Sequence, residues 1–540
     1  MVDKTAGRLA LANFWVAFAT FLFAAVLGLY QTLERGGLLP GMESPPLYFA
    51  SVSTHGVIMG FVLTTFFIMG FGYWVATSSL NQTLWSPRLA WLGFLVSLTG
   101  TVMAAATLLT GHASVLYTFY PPLRANPLFY IGATLLVVGS WFWCLEMVMS
   151  MARWKKAHPG EPVPLAMFGT VANAILWFVT SLGVASEVIF QLIPWSLGLK
   201  ETVDVGLART LFSWTLHAIV YFWLIPAYIA MYTLLPRAAG GKLFSDEMAR
   251  IAFIMLLVFS VPIGFHHLYV DPFQADGWKF MHMIGTFMVA IPTLLTGFTV
   301  IASLEVAGRM RGGRGLFGWI GTLPYDNPMV LAGGLALLML TVGGWGGVVN
   351  ASYSMDVAVH NTQWITGHFH LIFAGTTVIM YFAIAYYLWP KITGKALRSV
   401  RMARLQLWLW FIGMLILTLP WHVLGLLGQP RRISSTPYDD PIVQQWIPYE
   451  IAMAVGGVVL VVSALLFVFN LLATHTSGQP ESDRVTHYAE PVHPVLKLPA
   501  LLNGFGFWVA VLAIYLVASY GYPILQFFLM ETHGTFPWDI

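Results

Sequence analysis

The sequence predicts an all-α, polytopic membrane protein with about thirteen transmembrane helices, its N-terminus inside and its C-terminus outside. Three observations lead there. The 540-residue chain is 58% hydrophobic and only 9% charged, with a mean hydropathy of +0.74, whereas a soluble domain carries roughly 25% charged residues. Its apolar runs repeat, and many exceed the ~18–20 residues that cross a bilayer as a helix. Its basic residues fall unevenly on alternate loops, nineteen of the 26 on one side and seven on the other. By the positive-inside rule the richer side is cytoplasmic.

The runs follow in order. The first, about 9–32, is preceded by Lys4 and Arg8 and lacks a short apolar core with a cleavage site, so it reads as a retained helix. Arg35 then lies outside. Runs at about 46–77 and 86–110 flank inner Arg88, and Arg124 is outer. Runs at about 127–153 and 164–194 flank inner Arg153, Lys155 and Lys156, followed by outer Lys200 and Arg209. Runs at about 205–236 and 247–270 flank inner Arg237, Lys242 and Arg250, followed by outer Lys279. The run at about 276–306 ends on inner Arg309, Arg311 and Arg314, and the runs at about 327–350 and 356–388 lead to inner Lys391, Lys395, Arg398, Arg401 and Arg404. The run at about 399–427 precedes outer Arg431 and Arg432, the run at about 445–474 precedes inner Arg484 and Lys497, and the last lies at about 500–530. A missed or extra span would scramble this alternation. Residues 1–540 therefore read as one integral membrane domain, its longest polar stretch (475–499) a cytoplasmic loop. Cys144 is alone, which excludes a disulfide within the chain. No glycine loop reads as a phosphate cradle, "GGRGLFGWIG" (312–321) being a basic inner loop, and a net charge of +3 gives no sign of a nucleic-acid partner.

Fifteen histidines carry the chemistry. His158, His475, His487, His493 and His533 fall in loops or tails, where solvation explains them. His55, His217, His266, His267, His368 and His370 fall inside spans. With alternating orientation, all six sit in one layer of the outer half of the membrane. One buried histidine is ordinarily a hydrogen-bonded packing residue. Six at one height on four helices point to metal, because intramembrane polar groups are rare and imidazole is a common ligand. In "WITGHFHLIFAG" (364–375) His368 and His370 point ~200° apart on a helix. The pair therefore serves two centres, one on each side of the tenth helix. His217 and Tyr221, four apart, share a face. Adjacent His266 and His267 normally splay, but they follow Pro262 and Gly264, where irregular backbone lets both converge with His217 on a copper or zinc ion. His55 and one of the helix-10 pair can clamp a haem iron from both sides.

"HAIVY" (217–221), "GFHH" (264–267), "GHFHL" (367–371) and "THG" at His55 resemble subunit I of the haem-copper oxidases. "VLYTFYPPL" (115–123), "VYFWLIPAY" (220–228), "GGRGLFGW" (312–319) and "VHNTQWITGHFHL" (359–371) resemble its B-type branch, and the resemblance covers nearly the whole chain. It implies His55 and His370 as axial ligands of a low-spin haem, expected to be of b type, and His368 as proximal ligand of a high-spin haem of a, o or b type. It implies copper B on His217, His266 and His267, and Tyr221 as the tyrosine that the family cross-links to the ligand four residues earlier.

Tyr221, Tyr228 and Tyr232 recur on one face of the sixth helix and descend ~16 Å toward the cytoplasm. Thr293 and Thr296 lie in the inner half of the eighth, and Ser245 in an inner loop. Hydroxyls that both donate and accept suit a proton path, and by resemblance they match the single K-like path of B-type enzymes. Arg431 and Arg432 suit haem propionates, and Asp356 and His360 begin the tenth helix on that side, where the resemblance implies that these positions surround the propionates and the exit for protons or water. Glu187 has no assigned role. Two positions depart from the usual pattern: Ala218 replaces the proline after the first copper ligand, and Ile219 stands where A-type enzymes often carry glutamate. The second agrees with a B-type enzyme.

The expected activity is a proton-translocating terminal oxidase that reduces dioxygen to water. A nitric oxide reductase on the same scaffold is the alternative, but those enzymes lack the cross-linked tyrosine and bring glutamates to the metals. A non-redox transporter with a histidine-lined cavity is the third reading. The resemblance implies a partner subunit II carrying copper A, a small single-helix accessory subunit, cytochrome c as donor, and surrounding membrane lipid. The expected location is the inner (cytoplasmic) membrane of a prokaryote.

Overall fold

The computed structural model describes residues 3–40, 44–433 and 439–529, so His533 lies outside the described residues. Among the described residues, twelve helices are long and apolar enough to cross a membrane: α1 Lys4–Arg35, α2 Pro45–Leu80, α3 Pro87–Leu109, α4 Pro127–Ala157, α5 Leu165–Ser196, α6 Val205–Ala238, α8 Asp276–Met310, α9 Pro328–Ala351, α10 Gln363–Thr393, α11 Val400–Leu426, α12 Ile447–Ser477 and α13 Gly506–Leu529. The thirteenth expected span, the seventh run, forms a shorter helix, α7 Asp246–Phe259. After it come a turn at Ser260–Ile263 and one 3₁₀ turn, Gly264–Leu268. Pro262 has no N–H to continue a helix, so the run breaks just before the histidine pair. The tenth run also differs at its start. Tyr353–Val359 is a separate short helix, and Asn361 adopts a positive φ before α10 begins. No strand occurs among the described residues.

The helices start where the sequence supplies caps. Ser44, Ser86, Asn126 and Asn327 each accept a backbone N–H and precede a proline. That pairing satisfies an orphan donor and sets φ for the first turn. Inside α6, Pro226 frees the carbonyl of Phe222, and Asn173 of α5 donates its amide to that oxygen at 3.1 Å. The repair suits an environment where water cannot satisfy backbone groups.

Burial sorts the helices. The apolar windows of α2, α6 and α10 are 89%, 94% and 83% buried, against 22% for α13. The helices that carry His55, His217, His368 and His370 therefore form the centre, and α13 presents most of its surface outward. At the periphery, α3 and α4 pack backbone to backbone. A Cβ at Gly132 would lie 2.6 Å from Gly100 O, and one at Gly139 would lie 2.6 Å from Ser97 N. Small residues let apolar helices approach this closely when lipid offers no hydrophobic drive.

The polar stretch after α12 crosses one end of the bundle as a strap. Trp74 donates to Thr486 at 2.8 Å, Ala489 N to Thr233 O at 2.6 Å, Leu243 N to Glu490 O at 2.9 Å, and Lys391 to Val485 O at 2.6 Å. It therefore ties together the ends of α2, α6 and α10. Replacing Gly132 by Val is expected to force α3 from α4 and lower the melting temperature in detergent by several degrees, a cost of about 1–3 kcal/mol. Unchanged thermal unfolding would contradict the close-packing argument.

Candidate functional site

The six histidines singled out from the sequence all line one cavity. His55 projects from α2 just before a π turn, Ile58–Leu63, and His370 opens another, His370–Thr377. Such turns insert a residue and redirect side chains, and they gather at functional sites. The two rings face each other at 6.2 Å between centroids and 22° between planes. His55 Nδ1 donates to Ala24 O at 2.8 Å, and His370 Nδ1 donates to Thr366 O at 2.9 Å. Each Nδ1 is thereby occupied, and each Nε2 lone pair remains for a metal. With metal–nitrogen bonds of ~2 Å, the gap fits one metal atom shared by two imidazoles. Trp421 packs beside His370, its ring 4.7 Å away.

His368 points the other way, toward α9. Its Nδ1 donates to Gly343 O at 3.0 Å. Gly346 and Gly347 make the cradle, since a Cβ there would lie 2.9 Å from His368 Nδ1 and 3.2 Å from its Cε1. One helix thus presents two imidazoles to two different neighbours, as the ~200° separation requires.

The third constellation is His217, His266 and His267, whose ligand nitrogens all lie within 4.8 Å of one another. His217 sits at a break in α6, between the helical segments Val205–Leu216 and Ala218–Thr233. The break forms with Ala218, without the proline expected there. His217 divides its nitrogens: Nδ1 lies 3.2 Å from His267 Nε2, and Nε2 lies 3.0 Å from Tyr221 Oη. The 3₁₀ turn brings the adjacent pair together, their centroids 4.1 Å apart. His266 Nδ1 lies 2.5 Å from Ile263 O and 3.2 Å from Thr286 Oγ1, which leaves its Nε2 for a ligand. Three imidazoles, with no carboxylate in the group among the described residues, suit a borderline cation such as copper and not calcium or magnesium.

The hydroxyl series is placed in parts. Tyr221, Tyr228 and Tyr232 are buried. Tyr232 donates to Thr296 at 2.7 Å. Tyr228 faces Thr293, its hydroxyl making no direct hydrogen bond to a described residue. Ser245 caps α7 by accepting from Met248 N at 3.2 Å and donates to Glu247 at 3.1 Å. At the outer rim, Arg431 donates to Asn361 at 3.0 Å, and Arg432 lies over the Tyr117 ring, 5.8 Å from its centroid. His360 Nδ1 donates to Asp356 at 2.6 Å. Burial raises the Asp356 carboxyl above the ordinary range against the lowering pull of His360. Burial, with Arg432 alongside, lowers the Arg431 guanidinium to about 10.

Sequence reasoning passed over several residues. His282 of α8 accepts from Phe265 N at 3.3 Å, stacks on the Phe265 ring at 3.9 Å, and approaches Ser519 O of α13 at 3.3 Å. It thus holds the backbone beside His266. His422 packs against Gly367, and Thr299 and Ser303 extend the face of Thr296. Their signal was available as polar residues inside apolar runs, at helical spacing from the chosen ones.

The match to known proteins follows this geometry. Residues 8–459 match the family described as cytochrome C and quinol oxidase polypeptide I. The chain belongs to that family. Cytochrome c oxidase subunit 1 of Thermus thermophilus is 41% identical over 529 residues, covering 95% of this chain and 93% of that protein. Cytochrome c oxidase subunit 1 of Thermostichus vulcanus is 26% identical over 86% of this chain and 83% of its own. A cryo-EM structure of a heme-copper terminal oxidase dimer superposes with a TM-score of 0.92 at 36% identity, covering 97% of this chain and 93% of that one. As a haem-copper oxidase subunit I, the chain is an oxidoreductase whose family binds haems and copper, and the imidazole sets fit those groups. Replacing His282 by Phe keeps the stack and orphans Phe265 N–H. The variant is expected to lose about 1–3 kcal/mol of stability and to release copper to a chelator roughly tenfold more readily, measured by thermal unfolding and metal analysis.

Proposed function

We propose that this subunit I is the catalytic chain of a B-type terminal oxidase in the cytoplasmic membrane of a prokaryote, with its N-terminus inside and its C-terminus outside. It reduces dioxygen to water, coupled to proton translocation. Cytochrome c donates electrons through a copper A site on subunit II, and a small single-helix subunit completes the complex. The observation that carries the reading is the shared cavity. On one side of α10 His370 faces His55; on the other, His368 faces the side of the His217–His266–His267 set.

When bound, the haems and copper would relay the donor's electrons to dioxygen and bind it for reduction. The residues do the rest. His55 and His370 would hold the low-spin haem between them, and that haem would supply electron relay. His368 holds the high-spin haem from the α9 side. His217, His266 and His267 hold copper B, with Nε2 of His217 kept for Tyr221. Tyr221 Oη, 3.0 Å from that nitrogen, holds a proton at the cavity wall, where the family's tyrosine–histidine link is carried over to this pair. Tyr232 and Thr296, with Tyr228 and Thr293 above them and Ser245 at the inner loop, pass protons upward. At the rim Arg431 and Arg432 neutralise propionates, and Asp356 with His360 holds a proton between Oδ2 and Nδ1. Tyr221 and the imidazole-only metal set favour this reading over a nitric oxide reductase, and Ile219 favours a B-type over an A-type enzyme.

The decisive experiment is reduced-minus-oxidised spectroscopy with carbon monoxide, together with metal analysis and product identification. The expected result is two haems, one binding carbon monoxide, one copper, and water as product. Non-haem iron with nitrous oxide would select the reductase, and a colourless protein the transporter. Replacing His217 by Leu is expected to remove copper and spare the low-spin spectrum; joint loss of both would refute the site assignment. Tyr232→Phe breaks the bond to Thr296 and is expected to slow turnover by about tenfold or more, with carbon monoxide binding unchanged.

A further inference from the structure

Arg35, Glu450 and Gln429 meet where α1, α12 and the loop carrying Arg431 and Arg432 converge. Arg35 Nη2 lies 3.0 Å from Glu450 Oε1 and 3.2 Å from Gln429 Oε1, and Gln429 Nε2 donates to the same Glu450 oxygen at 2.7 Å. The ion pair is buried, with side-chain exposures of 10% and 3%. Gln429 also accepts Gln363 N at 2.9 Å, which ties the group to the start of α10.

The face of α1 shows what the group looks toward. Ala24 O accepts His55 Nδ1, and Gly28 lies against the same ring, where a Cβ would be 3.0 Å from His55 Cε1. Thr32 and Arg35 continue that face, because eleven residues from Ala24 to Arg35 make about three turns. Gly28, Thr32, Arg35 and His55 all line the cavity. Arg35 therefore joins Arg209, Arg431 and Arg432 among the guanidinium groups that line the cavity. An ion pair buried this deeply adds little to stability beyond what apolar packing supplies, and α1 already packs on α12 through Phe18 and Phe467 at 4.8 Å. Its effect lies in the field it sets within a poorly screened site.

We infer that Glu450 offsets Arg35, with Gln429 fixing both, so that the pair sets the reduction equilibrium of the haem held by His55 and His370. This rests on the assignment of that haem under Proposed function. Arg35 and Glu450 are positioning residues: they act on the site's field and on the loop at its rim. A cation nearby favours the added electron, and an anion opposes it.

The test is a spectroelectrochemical titration of the low-spin haem in the purified complex, for wild type, Arg35→Gln, Glu450→Gln and the double variant. Glu450→Gln is expected to shift the equilibrium about fivefold toward the reduced form, and Arg35→Gln about fivefold toward the oxidised form. The double variant, which buries no charge, is expected to return within about twofold of wild type. Shifts of one sign in both single variants, no shift in either, or a double variant as displaced as a single one would overturn the inference. If a single variant fails to assemble, Arg35→Lys decides: it keeps the charge and loses the planar fork, and a fivefold shift there would mean that packing, not charge, controls the site. A wild-type complex without a bis-histidine spectrum would instead defeat the haem assignment itself.

Discussion

The constraint on which the structure turns is the proton on Nδ1. An imidazole in a bilayer needs a partner for that N–H, and the partner decides which nitrogen faces the cavity. His55, His368 and His370 each spend Nδ1 on a backbone carbonyl, from Ala24, Gly343 and Thr366. Two of those carbonyls belong to other helices, so α1 and α9 have to lie where they do for the ring directions to hold. His217 is the exception: it sits at a helix break, and both of its nitrogens face other side chains.

Irregular backbone accompanies these directions, although π turns also occur at Val188–Leu192 of α5 and Val517–Gly521 of α13. α2 and α10 carry π turns at or beside their histidines, α6 breaks at His217, and the segment after α7 replaces helix with a 3₁₀ turn. Elsewhere a disturbance is repaired, as where Asn173 takes up the carbonyl that Pro226 releases. Departure from helix at membrane depth is tolerated where protein surrounds it, and these four sites lie on the most buried helices or against them.

Much of this was legible in the sequence because it obeys a local rule. Hydropathy and length mark the spans, and a 100° step sends His368 and His370 to opposite sides. Pro262 and Gly264 forecast a bend that lets His266 and His267 converge. What stayed hidden depends on partners remote in the chain. Gly346 reads as one more small residue until His368 is seen against it, and His282 reads as an odd polar residue until Phe265 N–H is found to need an acceptor. The shortness of α7 was likewise invisible to hydropathy, which counts apolar residues and cannot see that nearly the last half of the run is not α-helical. Arg35 was counted only as a loop charge, because its carboxylate partner lies 415 residues away.

That His368 and His370 share one helix has a mechanical side. Both rings ride on a single stiff rod, so thermal breathing of the bundle, or a change in bilayer thickness, carries them together. Distances that bridge separate helices are free to fluctuate, but the gap between these two rings is set by covalent bonds and a single residue of backbone. With haems held as proposed, an electron crossing α10 would meet a tunnelling distance nearly indifferent to temperature and lipid.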